Sequence, residues 1–319
     1  MSGMQLGKDF VFNPEIQTPP DAGLKAAAAP VAEGAESGLG LLGQLHGHWK
    51  GTGFNTIWRP FFGVPGQGHF LELNRTTETL TVEKIHGAIP NRGLLQKDID
   101  MFGVHYLQKV KDANTLEALH FEPGIWLNIP ETSNPLEPPT VARLASIPHG
   151  TTVLAQGTAR HTPGGPTFDP VDITPFLIGH PTELRPFPES NLAVTTKFRS
   201  PVLTGITQSM VDNANSVLAS DNAGKKITGT STFRITSDPQ PVAGGGTANT
   251  AFLQGLPGGA PNADAVKTSA IFWINEVSDG TGTHLELQYT QTVLLDFGGL
   301  SWPHVSVATL RKVKSPTPD

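Results

Sequence analysis

The chain has 319 residues with 35 Gly and 28 Pro, and only 16% charged and 7% aromatic residues, a composition that favours strands, turns and long loops over helical bundles. A formal net charge of -6 leaves no electrostatic footprint for DNA or RNA. The absence of cysteine excludes disulfides, thiolate metal sites and cysteine nucleophiles.

Residues Met1 to Phe10 carry no apolar core of a secretory signal, and no apolar run is long enough to span a bilayer. A soluble, cytoplasmic protein without a membrane partner is expected. Residues 1–38 are rich in Pro, Ala and Gly, as in Thr18-Pro19-Pro20-Asp21, and read as an extended arm. Such an arm is compatible with exchange between subunits of a homodimer. Residues 39–319 read as one domain, opening with a helical turn over Leu39–Leu45.

Strand signals dominate from Trp49 onward. Phe70–Asn74, Leu80–Ile85, Val104–Val110, Leu119–Glu122, Val141–Ala145 and Thr152–Gln156 show partial period-two patterning. Leu192–Phe198, Lys226–Ile235, Ala270–Ile274, His284–Val293 and a last strand from Trp302 continue the series. About ten consecutive strands predict a mainly β protein, a single closed antiparallel up-and-down barrel. One helix is predicted, with Ile206, Met210, Ala214, Val217 and Leu218 on one face and Gly224 as its stop; it is expected to act as a lid or plug. Long insertions are expected around 158–190 and 200–265. The second includes this helix, the strand from Lys226 and a Gly-rich loop from Ser237 to Ala265, and long loops of this kind are often functional.

Gly47-x-Trp49 on the first strand and Arg311 on the last are neighbours in a closed barrel, where an arginine can cover the indole face. This resembles the structural signature of the calycin superfamily. Four further motifs run in order: Gly47-His48-Trp49-Lys50-Gly51-Thr52-Gly53, His120-Phe121-Glu122-Pro123-Gly124, Ala145-Ser146-Ile147-Pro148-His149-Gly150, and Pro303-His304. Together they resemble the nitrobindin family of haem-binding β-barrels over about half of the chain, which would make this an enlarged relative. The likeness departs at Phe54-Asn55-Thr56-Ile57, where the family has a Tyr-Pro-Thr-Ile run.

The resemblance implies haem b as cofactor, with His304 as the iron ligand through a neutral imidazole. His304 would share its strand face with Ser306, Ala308 and Leu310, which leave room for a flat macrocycle. It implies a distal, catalytic position for His120, as hydrogen-bond donor or acid/base; a buried histidine bonded to a backbone carbonyl is the alternative. Arg59, Arg92 and Arg143 are candidates to pair with haem propionates, Arg59 and Arg143 before Arg92. The implied function is binding or conversion of nitric oxide, peroxynitrite or peroxide, in the manner of a peroxynitrite isomerase or a peroxidase. A haem-free carrier of an apolar small molecule is the alternative. Convergence of His46, His48, His105, His120 and His149 on a non-haem metal is a weaker option. His69, His86, His161, His180 and His284 read as surface or loop residues.

Overall fold

The structure, a computed structural model, describes residues 38–238 and 244–314. The arm expected at the N-terminus therefore falls, but for Gly38, outside the described residues, and so does subunit exchange through it. Ten long strands follow one another: β1 (Gly47–Pro60), β2 (His69–Lys84), β3 (Ile99–Asp112), β4 (Ala118–Ile129), β5 (Thr140–Ile147), β6 (Thr151–Pro163), β7 (Lys226–Thr236), β8 (Asp264–Ser278), β9 (Thr283–Phe297) and β10 (Leu300–Val313). Each pairs antiparallel with the next, and β1 pairs with β10, with Gly51 opposite Leu310 and Asn55 opposite Ser306. The sheet thus closes into an up-and-down barrel with no free edge along its ten strands.

The inner and outer faces follow the period of two. On β10, His304 and Ser306 face a cavity while Ala308 and Leu310 join the inner core, and Val305 and Val307 pack outward. One end of the barrel is filled with side chains. A 3-10 turn, Gly40–Leu45, inserts Leu42 and Leu45 under Trp49, Trp126 and Phe272. Trp49 Nε1 donates to the Leu45 carbonyl at 2.7 Å, which fixes the turn to the first strand. Each leucine buried here stabilises the closed end by about 1.5–3 kcal/mol.

The plug is therefore this turn and not the segment around 206–218. That segment forms two short helices, α1 (Gln208–Asp212) and α2 (Asn215–Asn222). Their residues Met210, Val211 and Leu218, with Ile206 and Ala214, pack on the outer face of the barrel against Phe54, Leu71, Leu73, Val305 and Val307. The insertion between β6 and β7 is thus an outer clamp on the β10–β1–β2 wall. Ile206→Val is expected to cost about 0.5–1.5 kcal/mol, measured as a lower urea midpoint, and to leave ligand affinity in the barrel unchanged.

Three more expectations are corrected. Phe70–Asn74 and Leu80–Lys84 belong to one strand, β2, which ends before Ile85. Leu192–Phe198 is irregular, because Arg199 donates to the carbonyls of Glu189, Asn191 and Val194, at 2.8 Å each, and curls the chain around its guanidinium. The cation over Trp49 is Lys312, with Nζ 5.2 Å from the ring centroid, whereas Arg311 turns to Glu286, with Nε 2.9 Å from Oε1. First and last strands do adjoin, but the register sets Lys312, not Arg311, opposite Trp49. Among the described residues no helix is long and apolar enough to cross a membrane.

Candidate functional site

The end of the barrel opposite the plug holds a cavity of about 320 Å³, within the range of small-molecule sites. Ile57, Val110, Leu119, Ile147, Val293 and Leu295 supply apolar wall, and Leu253 enters from the short helix α3 (Ala251–Gln254). Gln108, Phe272 and Tyr289 separate the cavity from the packed core.

His304, near the start of β10, faces this cavity. Among the described residues neither of its ring nitrogens has a hydrogen-bond partner. Burial, helped by the nearby His120 and His149, lowers its pKa to about 3. The side chain is therefore a neutral imidazole near neutral pH, with an unclaimed lone pair, set deep in the protein but open to the cavity.

His120 and His149 line the same cavity, with ring centroids 5.9 Å apart. His149 reaches it on the β5–β6 turn, where Gly150 N–H donates to the Ile147 carbonyl at 2.9 Å. His120 Nε2 lies 3.0 Å from Glu122 Oε2. Glu122 is two residues further along β4, on the same face, and only 1% exposed. It is held by Arg143, which donates through Nη2, and by the Tyr106 hydroxyl. Burial pushes the Glu122 carboxyl up, but the Arg143 charge and the bonds from His120 and Tyr106 win and hold it down at about 2. Glu122 is ionised.

This cluster gives the His-x-Glu-x-Gly spacing a physical reason. His120, Glu122 and Gly124 share one face of β4. A Cβ on Gly124 would lie 2.4 Å from the Tyr106 ring and hydroxyl. Only glycine lets Tyr106 lie across the strand and reach Glu122.

The arginines divide. Arg59 lines the cavity, paired with Glu72 and stacked 4.5 Å over Phe70. Arg143 is 4% exposed and lies behind the cavity wall. Besides Glu122 it donates to Tyr106 (2.8 Å from Nε) and to Gln291 (2.5 Å from Nη1), so each of its three nitrogens is bonded inside the protein. Arg92 is exposed and bonded to Asp98 at 2.7 Å.

Sequence reasoning missed a second buried group. Glu78 Oε2 accepts from Tyr289 at 2.7 Å and Gln108 at 3.1 Å, and Oε1 accepts from Thr76 at 2.9 Å. Burial pushes its carboxyl up against these three bonds. The cluster joins β2, β3 and β9, and no spacing within one segment announces it. Glu122 could have been found, since it is two residues from His120 on one strand. His69 was also misplaced. It is buried outside the barrel against Trp58, Phe187 and Trp302, with Nε2 3.4 Å from Glu189. His48 and His105 bond to Thr81 and Glu83, away from the cavity. Among the described residues no group of three or more His, Asp or Glu is placed to hold a metal ion.

No protein-family profile matches the chain, and no curated protein matches it. A search of solved structures finds Rv2717c from M. tuberculosis, at 13% identity and a TM-score of 0.40, over 87% of this chain and 98% of that one.

Proposed function

We propose that this chain binds haem b in the open end of the barrel, with His304 as the residue that would hold the iron, and that it binds or converts small reactive species such as nitric oxide, peroxynitrite or peroxide. The observation that carries the proposal is His304 itself, a neutral imidazole without a hydrogen-bond partner among the described residues, facing a largely apolar cavity. Metal ligation needs a deprotonated nitrogen, and a haem takes four of its ligands from the macrocycle, so one protein imidazole suffices. Among the described residues no three His, Asp or Glu are grouped to hold a non-haem ion.

The placement of the motifs supports the nitrobindin-like reading. His120, His149 and His304 come from three of the four motifs and line one cavity, while Gly51 and Gly53 lie at the adjoining β1–β10 seam. Bound haem would supply a Lewis-acidic, redox-active iron. The chain's own residues would hold it through His304, exclude bulk water with the wall from Ile57 to Leu295, and offer a proton acceptor or donor at His120. Arg59, which lines the cavity, would pair with a propionate in competition with Glu72. Arg143 acts on His120 through Glu122. The activity that fits is peroxynitrite isomerase-like or peroxidase-like.

Adding haemin to the purified protein is expected to give a Soret band that is lost in His304→Ala. An unchanged band in that variant would sink the assignment. A second reading, a haem-free carrier of an apolar molecule, draws support from the polar Tyr289–Gln108–Glu78 group beside an apolar cavity, which suits an amphiphile. No Soret band even with excess haemin would favour it.

A further inference from the structure

His120 and His149 stand beside each other at the cavity, with ring centroids 5.9 Å apart. His120 Nε2 is paired with Glu122 Oε2 at 3.0 Å. The Leu119 backbone beside the His149 ring favours a proton on it, and burial opposes one. Glu122 is an ionised carboxylate and brings no proton, so the committed His120 nitrogen is an N–H donor. A neutral imidazole has only one N–H, so in that form the other nitrogen of the His120 ring keeps a bare lone pair. Glu122 thereby sets the tautomer of His120, as a carboxylate partner does for a ligating or catalytic histidine. Burial and the neighbouring His120 both lower the pKa of His149, in keeping with a pair that does not hold two positive charges.

Tyr289 adds nothing to offset this. It lines the cavity, but its hydroxyl proton is directed to Glu78, 2.7 Å away. The cation at the rim, Arg59, is neutralised by Glu72. A ligand in the His120–His149 corner therefore meets an acceptor.

We propose that this corner is a hydrogen-bond-accepting subsite, which selects neutral ligands bearing an O–H or N–H, such as hydroperoxides, hydroxyl compounds or oximes, over their ethers and over anions. Glu122 is its positioning residue. The proposal rests on the cavity being the ligand site, as proposed above, and does not need haem to be bound.

The test uses the full-length chain without added haemin, at neutral pH, with phenol, anisole and benzoate as probes in titration calorimetry. Phenol and anisole differ by the donor, and benzoate is the anion. Phenol is expected to bind about five- to tenfold tighter than anisole, the worth of one net hydrogen bond, and benzoate more weakly than either. The preference should vanish in His120→Phe. Equal or tighter binding of anisole or benzoate, or a phenol preference that survives in His120→Phe, overturns the proposal. A long-range 1H–15N spectrum reads the tautomer whether or not a probe binds, with the His120 signals assigned by their loss in the variant. An unprotonated Nδ1 supports the proposal and a protonated Nδ1 overturns it. The Soret test on His304→Ala stands apart from both readouts, so failure of the haem reading is seen separately.

Discussion

Replacing Arg143 by methionine is expected to cost about 3–5 kcal/mol of folding stability at neutral pH, measured by urea unfolding. The side chain is buried, and its three nitrogens reach Glu122, Tyr106 and Gln291. Removing the cation leaves the Glu122 carboxylate in the barrel wall with His120 and Tyr106 as its remaining partners. A buried ion stripped of its counter-charge keeps its desolvation penalty and loses what offset it. The pH dependence follows from the sign of the Glu122 shift. Its folded pKa of about 2 lies below the ordinary value of 4.5, so its contribution is fully present above 4.5 and is lost as pH falls from there through about 2. Without Arg143, burial dominates and raises the carboxyl. The wild-type and Arg143→Met stability curves should therefore be furthest apart near neutral pH and converge in acid. Replacing both partners by apolar residues, as Arg143→Met with Glu122→Leu, is expected to recover much of the loss. It should also free the His120 ring from its fixed tautomer. A single variant within 1 kcal/mol of the wild type at neutral pH would refute the pairing as a stabilising element.

The ten-strand barrel was legible in the sequence because strand period, turn residues and strand number all describe local chain. The face of His304 was legible for the same reason: Ser306, Ala308 and Leu310 alternate with Val305 and Val307 along one strand. What the sequence could not show is which wall an apolar face meets. Ile206, Met210, Ala214 and Leu218 advertise an apolar stripe, and both a lid and an outer clamp would carry the same stripe. His69 follows a glycine and reads as loop, yet it is buried by Phe187, Glu189 and Trp302, all more than a hundred residues away. The partners of Arg143 depend on the registers of β3, β4 and β5 (Gln108 opposite Glu122, Trp126 opposite Arg143). Its place behind the wall depends on those registers and on Gln291 of β9. Lys312 replaces Arg311 at Trp49 by a register difference of one residue, which turns a side chain to the other face.

Gly51→Ala is expected to cost about 3 kcal/mol or more and to open the β1–β10 seam. A side chain on a flat sheet stands perpendicular to it and meets no backbone of the next strand. At Gly51 a Cβ would lie 2.0 Å from the Thr309 carbonyl oxygen and 2.7 Å from Leu310 Cα. Gly53 repeats this, with the Val307 carbonyl oxygen 2.3 Å from its Cβ position. The two strands thus turn sharply into each other, as a sheet must where it bends to close, and a glycine at such a corner is the residue that permits the approach. Both obstacles at Gly51 are backbone, so no rotamer change relieves them, and one strand has to move. Strand β1 carries Asn55, Ile57 and Arg59 to the cavity, and β10 carries His304 and Ser306. Asn55 sits opposite Ser306, so displacement at the seam also widens the ligand site. Gly51→Ala should therefore lower the unfolding midpoint, increase hydrogen exchange at Gly51 and Leu310, and weaken the Soret band formed with haemin. Gly282→Ala is the control, since no heavy atom lies within 4 Å of its Cβ position, and its effect should stay within about 0.5 kcal/mol. Equal behaviour of the two variants would show that the Gly-x-Gly of the first strand is not what lets the barrel close.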